Sequence, residues 1–166
     1  VIYQVLYLSN GLTRARKLWA AQGADVMQVA GQVAALSREH KPNAVVVDDG
    51  GVGGGVVDRL RELGIRVQPF NFGGRAKRAD RFADCGTEAW YNLLDMMREG
   101  RLALEDDVAT MGQLSARRAN LGSDGRLKLE PKEALKKRGG KSPDEADALV
   151  MACYGGRRSG DLQVFV

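Results

Sequence analysis

The first forty residues change from a strand pattern to a helix pattern. Residues 1–9 are rich in β-branched and aromatic side chains, and residues 13–21 can pair with them across Asn10-Gly11, a favoured hairpin turn. From residue 25 to residue 40, apolar side chains recur at helical spacing, and Pro42 ends that helix. The sequence therefore predicts a β-hairpin followed by a helix.

Residues 44–72 have the pattern of a strand, a helix and a second strand. The segment AVVVD at 44–48 is a continuous apolar run, which is typical of a strand buried on both faces. A helical pattern over 56–64 stops at Gly64, and 65–72 returns to a strand pattern. This order predicts an α/β sheet with parallel members.

The second half of the chain mixes helices with irregular segments. Residues 73–86 show no clear period and carry four basic side chains, so we expect a mobile loop there. The remaining predicted elements are a helix over 87–100 with Trp90 on its core stripe, a β-hairpin over 116–130, a short basic helix over 131–141 and a helix over 143–154. The expected domain covers residues 1–155, and residues 156–166 are expected to form a C-terminal tail.

Composition and charge narrow the class of protein. The chain has 166 residues, enough for one domain with its own core. A net charge of +4 and a pI near 9.2 permit a polyanion as a partner. Cys85 and Cys153 are far apart and match no metal spacing, so they are expected to be buried thiols. No apolar run reaches the roughly 18 residues of a membrane helix, so no membrane partner is expected.

The last predicted helix begins with two acids. Ser142 and Glu145 have the spacing of a capping box, and Pro143 stands at the favoured first helical position. Asp144 then benefits from the helix dipole, which is a sufficient structural explanation for it. Asp147 is expected past the first turn on the same face as Asp144. A buried carboxylate there needs a cation, either a basic side chain or a metal ion.

A third acid, Asp48, ends the buried strand. Ligands of α/β sheets usually lie at the carboxyl ends of strands, although an acid that starts a turn is an equal alternative. The adjoining Asp49 is expected to point to the other side. The glycine-rich segment 49–55 matches neither the dinucleotide-binding motif nor the phosphate-loop motif. Such glycines more often permit close backbone packing.

Basic residues accumulate between residues 115 and 141, where nine lysines and arginines face three acids. A positive strip beside acids suits metal-dependent cleavage of a nucleic acid, because cations hold phosphates and carboxylates hold metals. The alternative is a solubilising surface. The candidate DNA-binding residues are Arg117, Arg118, Arg126, Lys128, Lys132, Lys136, Lys137 and Arg138.

The order of these motifs resembles the nuclease domain of phage terminase large subunits. The likeness rests on AVVVDDGGVGGG, TEAWYNLLDMM, the SDG hairpin and KSPDEADAL, and it covers nearly all of residues 1–154. It implies an α/β, ribonuclease H-like fold: a mixed sheet flanked by helices, with a β-hairpin inserted before the last helix. By position, the resemblance makes Asp48, Asp147 and Asp144 catalytic metal ligands.

The resemblance also implies an activity and partners. Members of the family cut concatemeric double-stranded viral DNA during packaging, with two divalent ions, Mg²⁺ or Mn²⁺. A portal protein and a small terminase subunit are the implied partners, in the host cytoplasm.

One departure from the family pattern keeps two alternatives open. The family carries its first catalytic acid on an initial strand, just before the segment that reads VIYQV here. Residues 1–10 contain no acid, so we expect that the first strand is missing. The alternatives are a Holliday-junction resolvase-like nuclease and a non-catalytic DNA-binding or docking module.

Overall fold

The structure is a computed structural model that describes residues 1–51, 53–155 and 162–165, the last segment as backbone only. The helices and strands, in chain order, are β1 (Ile2–Tyr7), β2 (Thr13–Trp19), α1 (Val26–His40), β3 (Ala44–Asp48), α2 (Gly53–Glu62), β4 (Val67–Phe70), α3 (Cys85–Arg98), β5 (Leu102–Leu104), α4 (Val108–Ala116), β6 (Ala119–Leu121), β7 (Leu127–Leu129), α5 (Lys132–Lys137), α6 (Asp144–Gly155) and β8 (Leu162–Phe165).

Among the described residues, six strands form one mixed sheet in the order β4-β3-β8-β1-β2-β5. The predicted hairpin of β1 and β2 is present, and Gly11 takes the positive φ of 84° that its turn requires. β3 and β4 are parallel, as the strand–helix–strand order predicts. The β6–β7 pair forms the hairpin before the last helix.

The centre of the sheet is built from the end of the chain. β8 pairs parallel to β3, with Val46 opposite Phe165, and antiparallel to β1, with Leu6 opposite Leu162. Part of the expected tail is therefore a strand of the sheet. Residues 156–161 and 166 lie outside the described residues.

Helices cover both faces of the sheet, which explains the unbroken apolar run of β3. The side chains of Val45 and Val47 pack with α1 and α2 on one face. Val46 lies in the second core cluster, with α3 and α6, on the other face. Alternate residues of a strand point to opposite faces, so a strand covered on both sides has no polar position.

Besides β8, the described structure contains two elements that the sequence pattern does not predict, β5 and α4. Asp107 caps α4, because its carboxylate accepts hydrogen bonds from the backbone of Ala109 and Thr110. The apolar side chains of α4 follow no clear stripe: Val108 and Met111 are exposed. The position of α4 depends on its contacts with α6, and sequence periodicity does not reveal such contacts. In the described part of the chain, no helix is long and apolar enough to cross a membrane.

Candidate active site

Asp48 lies at the end of β3, where the glycine-rich turn folds back against it. The Oδ1 atom of Asp48 accepts a 2.9 Å hydrogen bond from the N–H of Gly50. A Cβ atom on Gly53 would lie 1.7 Å from the carbonyl oxygen of Asp48, so only glycine permits the start of α2 to approach this closely. The turn therefore serves backbone packing beside the carboxylate.

Burial raises the pKa of Asp48 above its usual range. The N–H of Gly50 and the ammonium of Lys132 lower that pKa, whereas the negative charge of Asp147 raises it. The negative charge of Asp147 therefore acts on the carboxylate of Asp48, although the two residues are far apart in sequence. A cation beside both of them relieves their repulsion.

Asp147 is buried in the first turn of α6, with 4% of its surface exposed. Its Oδ1 atom accepts a 3.0 Å hydrogen bond from the indole Nε1 of Trp90 and a 3.3 Å hydrogen bond from Arg117 Nη1. The Nζ atom of Lys132 lies 2.8 Å from the other oxygen, Oδ2, but it is not aligned as a hydrogen bond. Oδ1 is therefore held by two donors while Oδ2 is left to meet a cation.

The three candidate aspartates share one cavity of about 210 Å³, which we call the aspartate cavity. Asp144 is exposed, and its Oδ1 lies 3.9 Å from Lys132 Nζ. A neighbouring cavity of about 260 Å³ is lined by Asp48 and Asp147 together with Asn71, Gly73 and Arg117. The three aspartates therefore line one cavity, and their role as metal ligands stays a prediction.

The aspartate cavity suits a divalent cation in the chemistry of its donors. Carboxylate oxygens are the ligands that Mg²⁺ and Mn²⁺ prefer, and the buried Oδ2 of Asp147 has no hydrogen bond. However, no group of three or more His, Cys, Asp or Glu side chains among the described residues is arranged to hold a metal ion. The ammonium of Lys132 stands beside Asp147 instead. The donor chemistry of Asp48 and Asp147 therefore fits a divalent cation, while Lys132 occupies the position beside Asp147 in this structure.

The start of α6 is held by another helix, and the predicted capping box is wrong. Gln113 Oε1, from α4, accepts hydrogen bonds from the N–H groups of Glu145 and Ala146, at 2.9 and 3.0 Å. Ser142 instead donates to the side chain of Asp144. Because α6 begins at Asp144, Asp147 lies in the first turn and not beyond it. A side chain 32 residues away in sequence thus positions the acidic helix end.

A partly buried ionic network supports that contact. Lys17 Nζ lies 2.5 Å from Asp107 Oδ2 and 3.0 Å from Glu145 Oε2. Thr110 donates a 2.6 Å hydrogen bond to Asp107. Burial alone raises the pKa of Asp107, but the bonds from Lys17 and Thr110 outweigh it and lower that pKa to about 2. Glu145 therefore joins β2, α4 and α6 and does not cap the helix.

The candidate DNA-binding residues divide into two groups. Four of them are held in ion pairs: Arg117 and Lys132 with Asp147, Arg126 with Asp124, and Arg138 with Glu130. The others are exposed and form no ion pair with any described residue: Arg118, Lys128, Lys136 and Lys137. Arg117 has a side chain only 9% exposed, so it belongs to the carboxylate site and not to the outer surface.

Sequence reasoning assigned Trp90 to the core and did not connect it with the acids. Trp90 is buried, as predicted, but its indole N–H bonds to Asp147. A buried tryptophan usually finds an acceptor for its N–H, so the general signal existed, although it does not say which acceptor. The roles of Gln113 and of Lys132 beside Asp147 had no such signal.

No protein-family model and no curated protein matches the sequence. Solved structures do match. The nuclease domain of the large terminase subunit gp2 of bacterial virus Sf6 superposes with a TM-score of 0.77 at 18% identity, over 87% of this chain and 79% of that one. A manganese-bound mutant of the same domain gives a TM-score of 0.74 at 19% identity, over 85% of this chain and 79% of that one.

A second phage gives the same result. The large terminase nuclease from thermophilic phage G20c with bound magnesium has a TM-score of 0.65 at 21% identity, over 92% of this chain and 72% of that one. The expected mixed sheet flanked by helices is confirmed. This chain therefore has the ribonuclease H-like fold of the nuclease domains of phage large terminase subunits.

Proposed function

We propose that this chain is the metal-dependent DNA endonuclease domain of a phage DNA-packaging terminase, which cuts concatemeric double-stranded DNA. One observation supports this most strongly. Asp147 is fixed through Oδ1 by Trp90 and Arg117, its Oδ2 accepts no hydrogen bond, and its side chain lines the same cavity as Asp48. A carboxylate oriented in this way is prepared for a cation and not for structural pairing alone.

The metals of the proposal are two Mg²⁺ or Mn²⁺ ions. Asp48 and Asp147 would hold them, with Asp144 as an accessory ligand at the rim of the aspartate cavity. Structures of similar domains carry manganese and magnesium, which supports this choice. When bound, two such ions supply an activated water and stabilise charge on the leaving 3′ oxygen.

The protein side chains have separate tasks in this proposal. Trp90 and Arg117 hold Oδ1 and so keep the carboxylate of Asp147 in one orientation. Lys132 neutralises Asp147 when no metal is bound, and it is placed to contact a phosphate oxygen once a metal displaces it. Burial raises the pKa of Asp48, and a bound cation would lower that pKa and favour the ionised carboxylate.

The exposed cations hold the DNA backbone. Arg118, Lys128, Lys136 and Lys137 have no ion pair with the described residues, so they remain available for phosphates. Contacts of this kind carry little base preference. A portal protein and a small terminase subunit complete the packaging assembly in this proposal, which acts in the host cytoplasm.

Plasmid cleavage with Mn²⁺ tests the function. We expect nicking by the wild type, loss of nicking by Asp48→Asn and by Asp147→Asn, and normal nicking by Asp49→Asn. Asp49 is a matched control because it adjoins Asp48 but does not line the aspartate cavity. Equal cutting by the wild type and both site variants contradicts the proposal.

A second candidate is a DNA-binding module without catalysis. The ammonium of Lys132 beside Asp147, and the lack of three convergent ligands in the described residues, favour it. Calorimetry separates the two functions: duplex binding without Mn²⁺ binding indicates the module, whereas Mn²⁺ binding that Asp147→Asn abolishes indicates the nuclease.

A further inference from the structure

The segment between β4 and α3, residues 71–84, connects the cavity next to the aspartate cavity with the hairpin. Asn71 and Gly73 line a cavity together with Asp48 and Asp147. At its other end, Arg81 O accepts a 2.9 Å hydrogen bond from Leu127 N, and Leu127 O accepts one of 2.9 Å from Ala83 N. The segment thus runs from the carboxylates to β7, where Lys128 lies.

Buried contacts hold this segment in place, although it was expected to be a mobile loop. Glu88 of α3 is 3% exposed and accepts hydrogen bonds from the backbone N–H groups of Lys77 and Arg78, at 2.6 and 3.3 Å. Phe82 is fully buried. The hydrogen bond of 2.7 Å from Cys85 N to Gly74 O closes the base of the segment. The backbone is therefore fixed before any partner binds.

Four basic side chains on this fixed backbone are exposed, and three of them have no acidic partner among the described residues. Arg75, Lys77, Arg78 and Arg81 are all exposed. Arg78 pairs with Glu88, but Arg75, Lys77 and Arg81 form no ion pair with any described residue. Lys77 lies over the ring of Tyr154 and Arg81 over that of Phe82, contacts that orient a cation without neutralising it.

Glu88 is a buried acid that lies beside these exposed basic side chains. Burial raises its pKa, but bonds from Arg78, from the backbone and from Tyr154 outweigh that effect and lower the pKa overall. Its carboxylate is occupied by the backbone of the segment and by one arginine. Glu88 therefore anchors the backbone of the segment, and Arg75, Lys77 and Arg81 remain without an ion pair among the described residues.

We propose that Arg75, Lys77 and Arg81 form a phosphate-binding surface that guides duplex DNA from the hairpin to the aspartate cavity. This inference rests on the proposed function and adds a second contact region to the strip of residues 117–138. Cations on a fixed backbone bind a phosphate chain at a smaller ordering cost, and the segment that carries them runs from β7 to the cavity lined by Asn71, Asp48 and Asp147.

Salt-dependent binding of a short linear duplex in EDTA tests the surface without any cleavage. The triple variant Arg75→Ala/Lys77→Ala/Arg81→Ala should lower the slope of log affinity against log salt by about 2 to 3 and weaken binding ~10-fold or more. The control Arg38→Ala/Arg61→Ala/Arg66→Ala removes the same charge from exposed positions on or next to α1 and α2, and should change affinity by less than about twofold.

A charge-preserving variant excludes misfolding as the cause. Arg75→Lys/Lys77→Arg/Arg81→Lys should bind like the wild type. If it loses as much affinity as the alanine variant, or if the alanine variant behaves like the control, the inference is overturned. If Lys128→Ala/Lys136→Ala/Lys137→Ala weakens binding and the segment variant does not, only this inference fails. If the wild type does not bind duplex DNA at all, the proposed function fails with it.

Discussion

The indole N–H of Trp90 donates a 3.0 Å hydrogen bond to Oδ1 of Asp147, across 57 positions of sequence. Trp90 belongs to the core between α3 and α6, and Asp147 lines the aspartate cavity. A buried carboxylate needs donors for the oxygen that does not meet a cation. The core of the protein thus fixes the direction of its candidate ligand.

Replacing Trp90 by Phe should weaken metal-dependent cleavage. The ring remains, but Asp147 loses a hydrogen bond to a charged acceptor, worth about 1.5–3 kcal/mol. We expect cleavage to fall by about tenfold or more and the Mn²⁺ midpoint to rise. The control is Tyr91→Phe, the next residue of α3, which does not line the aspartate cavity. Unchanged kinetics in Trp90→Phe would contradict the positioning role.

Replacing Lys132 by Met should remove the ammonium beside Asp147 and leave its place to a bound Mn²⁺ ion. Without metal, Asp147 keeps only Arg117 as a charged partner, so the melting temperature should fall. Mn²⁺ no longer competes with the ammonium, so its affinity should rise by roughly tenfold, about 1.4 kcal/mol. Calorimetry and thermal unfolding with and without Mn²⁺ measure both effects. Lys136→Met, an exposed position on the same helix, should change neither quantity.

Replacing Gln113 by Leu should destabilise the protein through the end of α6. The N–H groups of Glu145 and Ala146 lose their acceptor, and the loss of a helix cap costs about 1–2 kcal/mol. Urea unfolding measures the change in the free energy of unfolding. Gln32→Leu on α1 is the control. Equal stability of the Gln113 variant and the wild type would mean that α6 does not depend on this contact.

The ion pair of Asp107 with Lys17 should make stability depend on acid pH. The pKa of Asp107 in the folded protein is about 2, below its ordinary value of 3.8. A lowered pKa stabilises the folded state above the unfolded pKa, and this contribution disappears as the pH falls from about 4 toward 2. Asp107→Asn keeps a capping side chain but removes the charge.

The measurement for that pair is urea unfolding of the wild type and Asp107→Asn between neutral and acid pH. The wild type should be the more stable of the two at pH 7, and the difference should shrink as Asp107 is protonated. A difference that stays constant across the acid range would show that charge is not the stabilising property.

Local patterns were sufficient for several strands of the sheet. The β1–β2 hairpin follows from Asn10-Gly11, and the buried strand β3 follows from its unbroken apolar run. Turn-forming residues and the helical or strand period depend on positions only a few residues apart, so both can be recognised in a single sequence. The helix α4 and the strand β8 cannot be recognised in this way, because their positions depend on partners elsewhere in the fold.

The sequence by itself determined the α/β class. It also showed that the candidate acids lie at the end of a strand, Asp48, and at the start of a helix, Asp144 and Asp147. Only the tertiary structure decided that these aspartates share one cavity, that Trp90 and Arg117 hold one oxygen of Asp147, and that Lys132 stands beside the other. The physical reason is distance along the chain. Hydrophobic period and capping act between near neighbours, whereas the direction of a buried carboxylate depends on donors that folding brings from remote elements.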